Sequence, residues 1–131
     1  MNAYAQYKNQ SLSTLAPGEI LVKLFDEAIK QCAIAKKGIE TRHFEAVNDG
    51  TIKAQDILYA LESALDMRFP ISKNLRDLYF FMARQLMQAN VKKDTAIIDE
   101  VVPLIKDLRS SFEQADKESR SQQAAVGGKA V

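Results

Sequence analysis

The sequence predicts an all-α protein: an antiparallel up-down four-helix bundle with an N-terminal arm and a disordered C-terminal tail. Apolar residues recur at helical spacing through four successive segments, short turn signals separate those segments, and no alternating apolar-polar run competes with them. A chain of 131 residues suffices for one domain whose core needs no staples, here expected over residues 1–117 with 118–131 as the tail.

Residues 1–16 are rich in Asn, Gln, Ser and Thr without a sustained period, yet carry Tyr4, Tyr7, Leu12 and Leu15, which makes them an arm with sticky points. The first helix is expected over 17–40. Leu21, Leu24, Phe25, Ala28, Cys32, Ala35 and Ile39 fall within one arc at 100° per residue, with Lys23, Glu27 and Lys30 opposite. Pro17 suits its first turn and Gly38 its termination.

The second helix is expected from about 43 to 67, with Val47, Ala54, Leu58, Leu61 and Leu65 inward; the Asn48-Asp49-Gly50 run weakens its first turns. Phe69-Pro70 marks the next turn, because a residue before proline resists the helical region. The third helix follows at about 72–90, with Leu75, Leu78, Tyr79, Met82 and Leu86 as its core stripe. Asp94 is a good N-cap for the fourth, about 94–117, which buries Ile97, Val101, Leu104, Ile105, Leu108 and Phe112. Pro103 lies roughly 160° from that stripe by the 100° rule, so its missing hydrogen bond falls on the wet side. The closing ESRSQQAAVGGKAV has too little apolar surface to offset the entropy of ordering it.

Composition excludes several function classes. A formal charge of +1 gives no electrostatic reason to expect nucleic acid, and no apolar run approaches the ~20 residues needed to cross a bilayer, so membrane insertion is not expected. The single cysteine cannot close an intramolecular disulfide and no secretion signal opens the chain, so a cytoplasmic setting is expected. Metal binding is not expected, since one histidine and no Glu-x-x-His pair cannot build a bundle metal site. Adjacent carboxylates such as Asp26/Glu27 and Asp99/Glu100 splay around their helices, which is poor geometry for shared acid-base work. Cys32 sits in the buried stripe as a small core residue, and no Gly-rich phosphate loop is present. Neither catalytic residues nor cofactors are therefore expected. His43 is the one residue that opens another class, a histidine-phosphotransfer bundle, but it stands near a helix start and lacks the lysine and glycine expected after it.

The third helix carries more apolar side chains than its stripe requires. Phe80 and Met87, seven apart, stack roughly 120° from the stripe, with Phe81 on the other flank. Ile52 and Tyr59, also seven apart, do the same on the second helix. The short turn makes these two helices neighbours, so the surplus ridges are expected to line one hydrophobic groove suited to an amphipathic helix.

The run NLRDLYFFMARQLMQANVKKDTAIIDEV resembles the FliS family of flagellar export chaperones at Asn74, Leu75, Leu78, Tyr79, Met82, Leu86, Ala89, Asn90, Asp94, Glu100 and Val101. AYAQ at 3–6, Ala16-Pro17 and LVKLFDEAI at 21–29 extend the resemblance over about residues 3 to 117. The chain departs from the family pattern in having Ala16 before the proline, RFPIS where a Gly-Gly pair is usual, Phe112 in place of Trp, and Pro103 within the last helix. The resemblance implies a cytoplasmic bundle, not an enzyme, that binds the C-terminal segment of flagellin, prevents premature polymerisation and delivers it to the flagellar type III export gate. It further implies an arm tyrosine, matched by Tyr4 with Tyr7 as a second candidate, that can cover part of the binding surface when no client is present. The expected partner-binding residues are thus Tyr4, Tyr7, Ile52, Tyr59, Phe80 and Met87. The alternative is a bundle that associates with itself through the same patch.

Overall fold

The computed structural model describes the backbone of residues 17–130 and the side chains of residues 18–122. Helices α1 (Pro17–Glu40), α2 (Phe44–Ser63), α3 (Pro70–Lys92) and α4 (Thr95–Ala130) follow one another through short turns, and no strand occurs among the described residues. α1 packs against α2 and α4, α2 against α3, and α3 against α4, so neighbours in sequence are antiparallel neighbours in space and the ring closes between first and last.

The core forms where the four stripes meet. Phe25, Ala28, Cys32 and Ala35 of α1 are fully buried against Ala54, Leu58 and Leu61 of α2, Tyr79, Met82 and Leu86 of α3, and Ile98, Val101 and Ile105 of α4. Leu21, Leu24, Ile39, Leu75, Leu78, Ile97, Leu104, Leu108 and Phe112 pack around it, partly buried. The Phe25 ring lies 5.2 Å from that of Phe112 and 6.4 Å from that of Tyr79, so three helices share one aromatic cluster. Two of the buried polar side chains are satisfied within their own helices: the Thr51 hydroxyl donates to the Val47 carbonyl at 2.8 Å, and the Gln31 amide to Glu27 at 3.1 Å.

Two glycines expected to weaken or end helices instead lie buried inside them. A Cβ at Gly50 would stand 2.9 Å from the Gln31 carbonyl oxygen, and one at Gly38 would stand 2.9 Å from a Val47 methyl and 3.0 Å from the His43 carbonyl. Their missing side chains let α1 and α2 approach closely, which offsets the propensity cost of glycine in a helix.

Helix boundaries follow local chemistry. α2 stops at Ser63, four residues short of the expected limit, and Leu65 packs against the core from the turn instead. Asp66 draws the chain out of the helix: its carboxylate accepts the Arg68 backbone N–H at 3.0 Å and the guanidinium at 2.6 Å, while the Ser72 hydroxyl donates to its carbonyl at 2.6 Å. The Arg68 guanidinium accordingly holds the Asp66 carboxyl below its ordinary value. Phe69 is extended, at ψ 133°, and Pro70 takes the first helical position, so α3 begins two residues earlier than expected. At the start of α4 the Asp94 carboxylate accepts the Ala96 N–H at 2.9 Å, as expected of an N-cap.

α4 runs through Pro103, whose side chain is exposed, on the wet side as expected. It continues to Ala130, beyond the limit near 117. Core packing ends at Phe112, and residues 118–122 are exposed, so this stretch adds nothing to the core. Polar pairs accompany it: Arg109 and Lys117 each meet Glu113, Arg120 meets Asp116 at 2.8 Å, and Arg120 also bonds Glu19 of α1. Arg109 likewise bonds Asp26, fastening the α1/α4 seam.

Candidate functional site

The surplus apolar residues of α2 and α3 come together on the outside of the bundle. The Tyr59 and Phe80 rings lie 6.2 Å apart at 53°, in contact across the seam between the helices. The Asn90 side-chain amide donates to the Asn48 side-chain oxygen at 3.1 Å further along the same seam. With these two pairs fixing the antiparallel register, Ile52 stands opposite Met87. Ile52 and Tyr59 each keep 45% of their surface exposed and Met87 keeps 46%, while Phe80 is half-buried beside Tyr59.

The four side chains thus form two rungs of a shallow apolar ladder, about 10 Å apart at 1.5 Å per residue. Asp56 and Arg84, both exposed, stand between the rungs and give the groove a rim of mixed charge. Phe81 is also exposed, on the opposite flank of α3, as its helical position requires. Tyr4 and Tyr7, the expected arm contacts, lie outside the described residues.

The ladder continues past the residues that surplus counting selects. Phe44, 41% exposed at the first position of α2, lies eight residues before Ile52, and the exposed Val91 lies four after Met87. The spacing 44, 52, 59 carries a helical signal, but Phe44 sits at a helix start, where one stripe is too short to recognise. At the other end of the bundle, Met67, Phe69 and Ile71 are exposed in and beside the α2/α3 turn.

The remaining chemistry is that of a core and a solvated surface. Cys32 is fully buried and desolvation pushes its thiol up from 9.0 to about 12, the reverse of an activated nucleophile. Its contribution to stability is intact below pH 9.0 and is lost as pH rises towards about 12, because only the unfolded chain ionises readily in that window. Thiol modification at neutral pH should therefore run at least about 1,000-fold slower in the folded protein than in denaturant, a ratio corresponding to ~4 kcal/mol of protection. Rapid labelling of native protein would contradict this placement. His43 is the exposed residue preceding α2, with Nδ1 2.7 Å from the Thr41 hydroxyl. No group of three or more His, Cys, Asp or Glu side chains converges among the described residues, and no helix among them is long and apolar enough to cross a membrane. Shallow hollows of about 340 Å³ beside Cys32 and Pro103, and about 260 Å³ beside Asp26 and Arg109, both lie on the α1/α4 side, away from the groove.

An antiparallel four-helix bundle that leaves a row of apolar side chains exposed along two adjoining helices has the make-up of a binding protein. The family model described as flagellar protein FliS matches residues 1–119. The flagellar secretion chaperone FliS of Bacillus subtilis (strain 168) is 33% identical over 127 residues, covering 97% of this chain and 96% of that protein. The protein of the same description from Vibrio cholerae is 32% identical, covering 98% and 96%, and that of Salmonella typhimurium is 29% identical, covering 95% of each. The chain belongs to the FliS family of flagellar secretion chaperones.

Proposed function

We propose that this protein binds the C-terminal segment of flagellin along the α2/α3 groove in the cytoplasm, keeps it from polymerising, and presents it to the flagellar export gate. The observation that carries this reading is the Tyr59 and Phe80 contact, set within a row of half-exposed apolar side chains on two adjoining helices. A disordered, amphipathic tail buries its apolar face only against another subunit or a substitute for one. Ile52, Tyr59, Phe80 and Met87 supply the substitute, and burial at ~25 cal/mol per Å² offsets the cost of ordering the tail. Tyr4, with Tyr7 as the second candidate, covers part of this surface until the client displaces it.

Sedimentation with and without a flagellin C-terminal peptide tests the reading. A one-to-one complex is expected, with the chain monomeric in its absence. A dimer that ignores the peptide would instead support self-association through the same groove.

A further inference from the structure

The groove has unlike ends. At the end where α1 turns into α2 and α3 into α4, the Arg42 guanidinium carbon lies 5.7 Å, and the Lys93 ammonium nitrogen 5.6 Å, from the centre of the Phe44 ring. Lys93 also donates to the Asn90 side-chain oxygen at 2.5 Å, and Asn90 in turn donates to Asn48, so a polar chain links this cluster to the head of the groove. Neither cation has a carboxylate partner among the described residues. At the far end, beyond Tyr59 and Phe80, the same register brings Glu62 opposite Asp77, with Arg76 3.8 Å from Asp77.

The two cations come from equivalent positions. Arg42 (φ 59°) and Lys93 (φ 51°) are the only non-glycine residues in the left-handed region among the described residues, and each closes a helix. In both turns the next backbone N–H reaches back into the helix it leaves, His43 to the Gly38 carbonyl at 2.8 Å and Asp94 to the Ala89 carbonyl at 3.1 Å. Glycine fits this position without strain. Here each turn carries instead a long cationic side chain, and both turn over one aromatic ring.

We propose that Arg42, Phe44 and Lys93 form the cationic end of the α2/α3 groove and set the direction in which an amphipathic helix lies there, by receiving its carboxyl end. The occupant's last turn carries unsatisfied carbonyls and the negative pole of its dipole, which two cations with no carboxylate partner among the described residues complement. Its amino end then lies towards Glu62 and Asp77. From Phe44 to Glu62 the groove is ~27 Å long at 1.5 Å per residue, room for about five helical turns. This inference rests on the groove reading above and adds orientation to it.

The test uses the full-length, isotope-labelled chain and the flagellin C-terminal peptide carrying a paramagnetic label at one end of its groove-binding helix or at the other. A label at the carboxyl end is expected to broaden resonances around Arg42, Phe44 and Lys93, and a label at the amino end those around Glu62 and Asp77. The reversed pattern, with binding intact, overturns the orientation alone. Absence of binding, or a second copy of the chain in the groove, overturns both this proposal and the client reading. Replacing both cations by glycine (R42G/K93G) keeps the left-handed turns, so melting should hold within a few degrees. Affinity should nevertheless fall about fivefold or more, with a weaker salt dependence. Unchanged affinity in that variant would also overturn the proposal.

Discussion

Replacing Tyr59 and Phe80 together by aspartate is expected to weaken flagellin-peptide binding at least about 100-fold, with helical content and cooperative melting retained. The two rings touch, 6.2 Å between centroids, and Tyr59 is 45% exposed, so each presents apolar area that the bundle itself does not use. A buried aromatic anchor contributes about 2 kcal/mol to an interface, and each carboxylate must additionally be desolvated without a partner. The cost to the fold should be near 1 kcal/mol, chiefly from half-buried Phe80. Titration calorimetry and thermal melting on the same samples separate the two effects. Should the double variant unfold, Ile52→Asp with Met87→Asp, at two well-exposed positions, provides the independent check. Full affinity in that second variant would remove the groove from the binding surface.

The largest effect on stability from one small change is expected at Gly50. Helix propensity alone makes Gly50→Ala stabilising by about 1 kcal/mol. Its Cβ would stand 2.9 Å from the Gln31 carbonyl oxygen and 3.2 Å from Ala35, and a backbone oxygen within a packed helix cannot rotate aside. α1 and α2 must separate, so alanine should be destabilising, and Gly50→Val should cost about 2–3 kcal/mol, roughly 10 °C in Tm. A Gly50→Ala protein that melts higher than the parent would show that this seam is looser than its geometry implies.

Much of this architecture was legible in the residues. Each stripe repeats over several turns, so errors at single positions average out: Phe25, Leu58, Met82 and Ile105 are all buried. Surplus residues were legible for the same reason, since a helix wheel that assigns Leu86 inward also assigns Met87 away from it. Turns were read less well because their signals are single residues. Asp66 ends α2 through bonds to Arg68 and Ser72 that depend on where the next helix starts. Gly38 and Gly50 read locally as weak points, whereas their role is set by the helix lying against them.

The sequence by itself determined the helices, their order and which faces are apolar, because these follow from a 3.6-residue period and from chain-local steric rules. Only the tertiary structure decided which surplus residues meet. Tyr59 against Phe80, Asn48 against Asn90, and two distant cations over Phe44 depend on the register and separation of helices. Those are set by how side chains from different segments interlock, and a periodicity within one segment carries no record of its neighbour's offset.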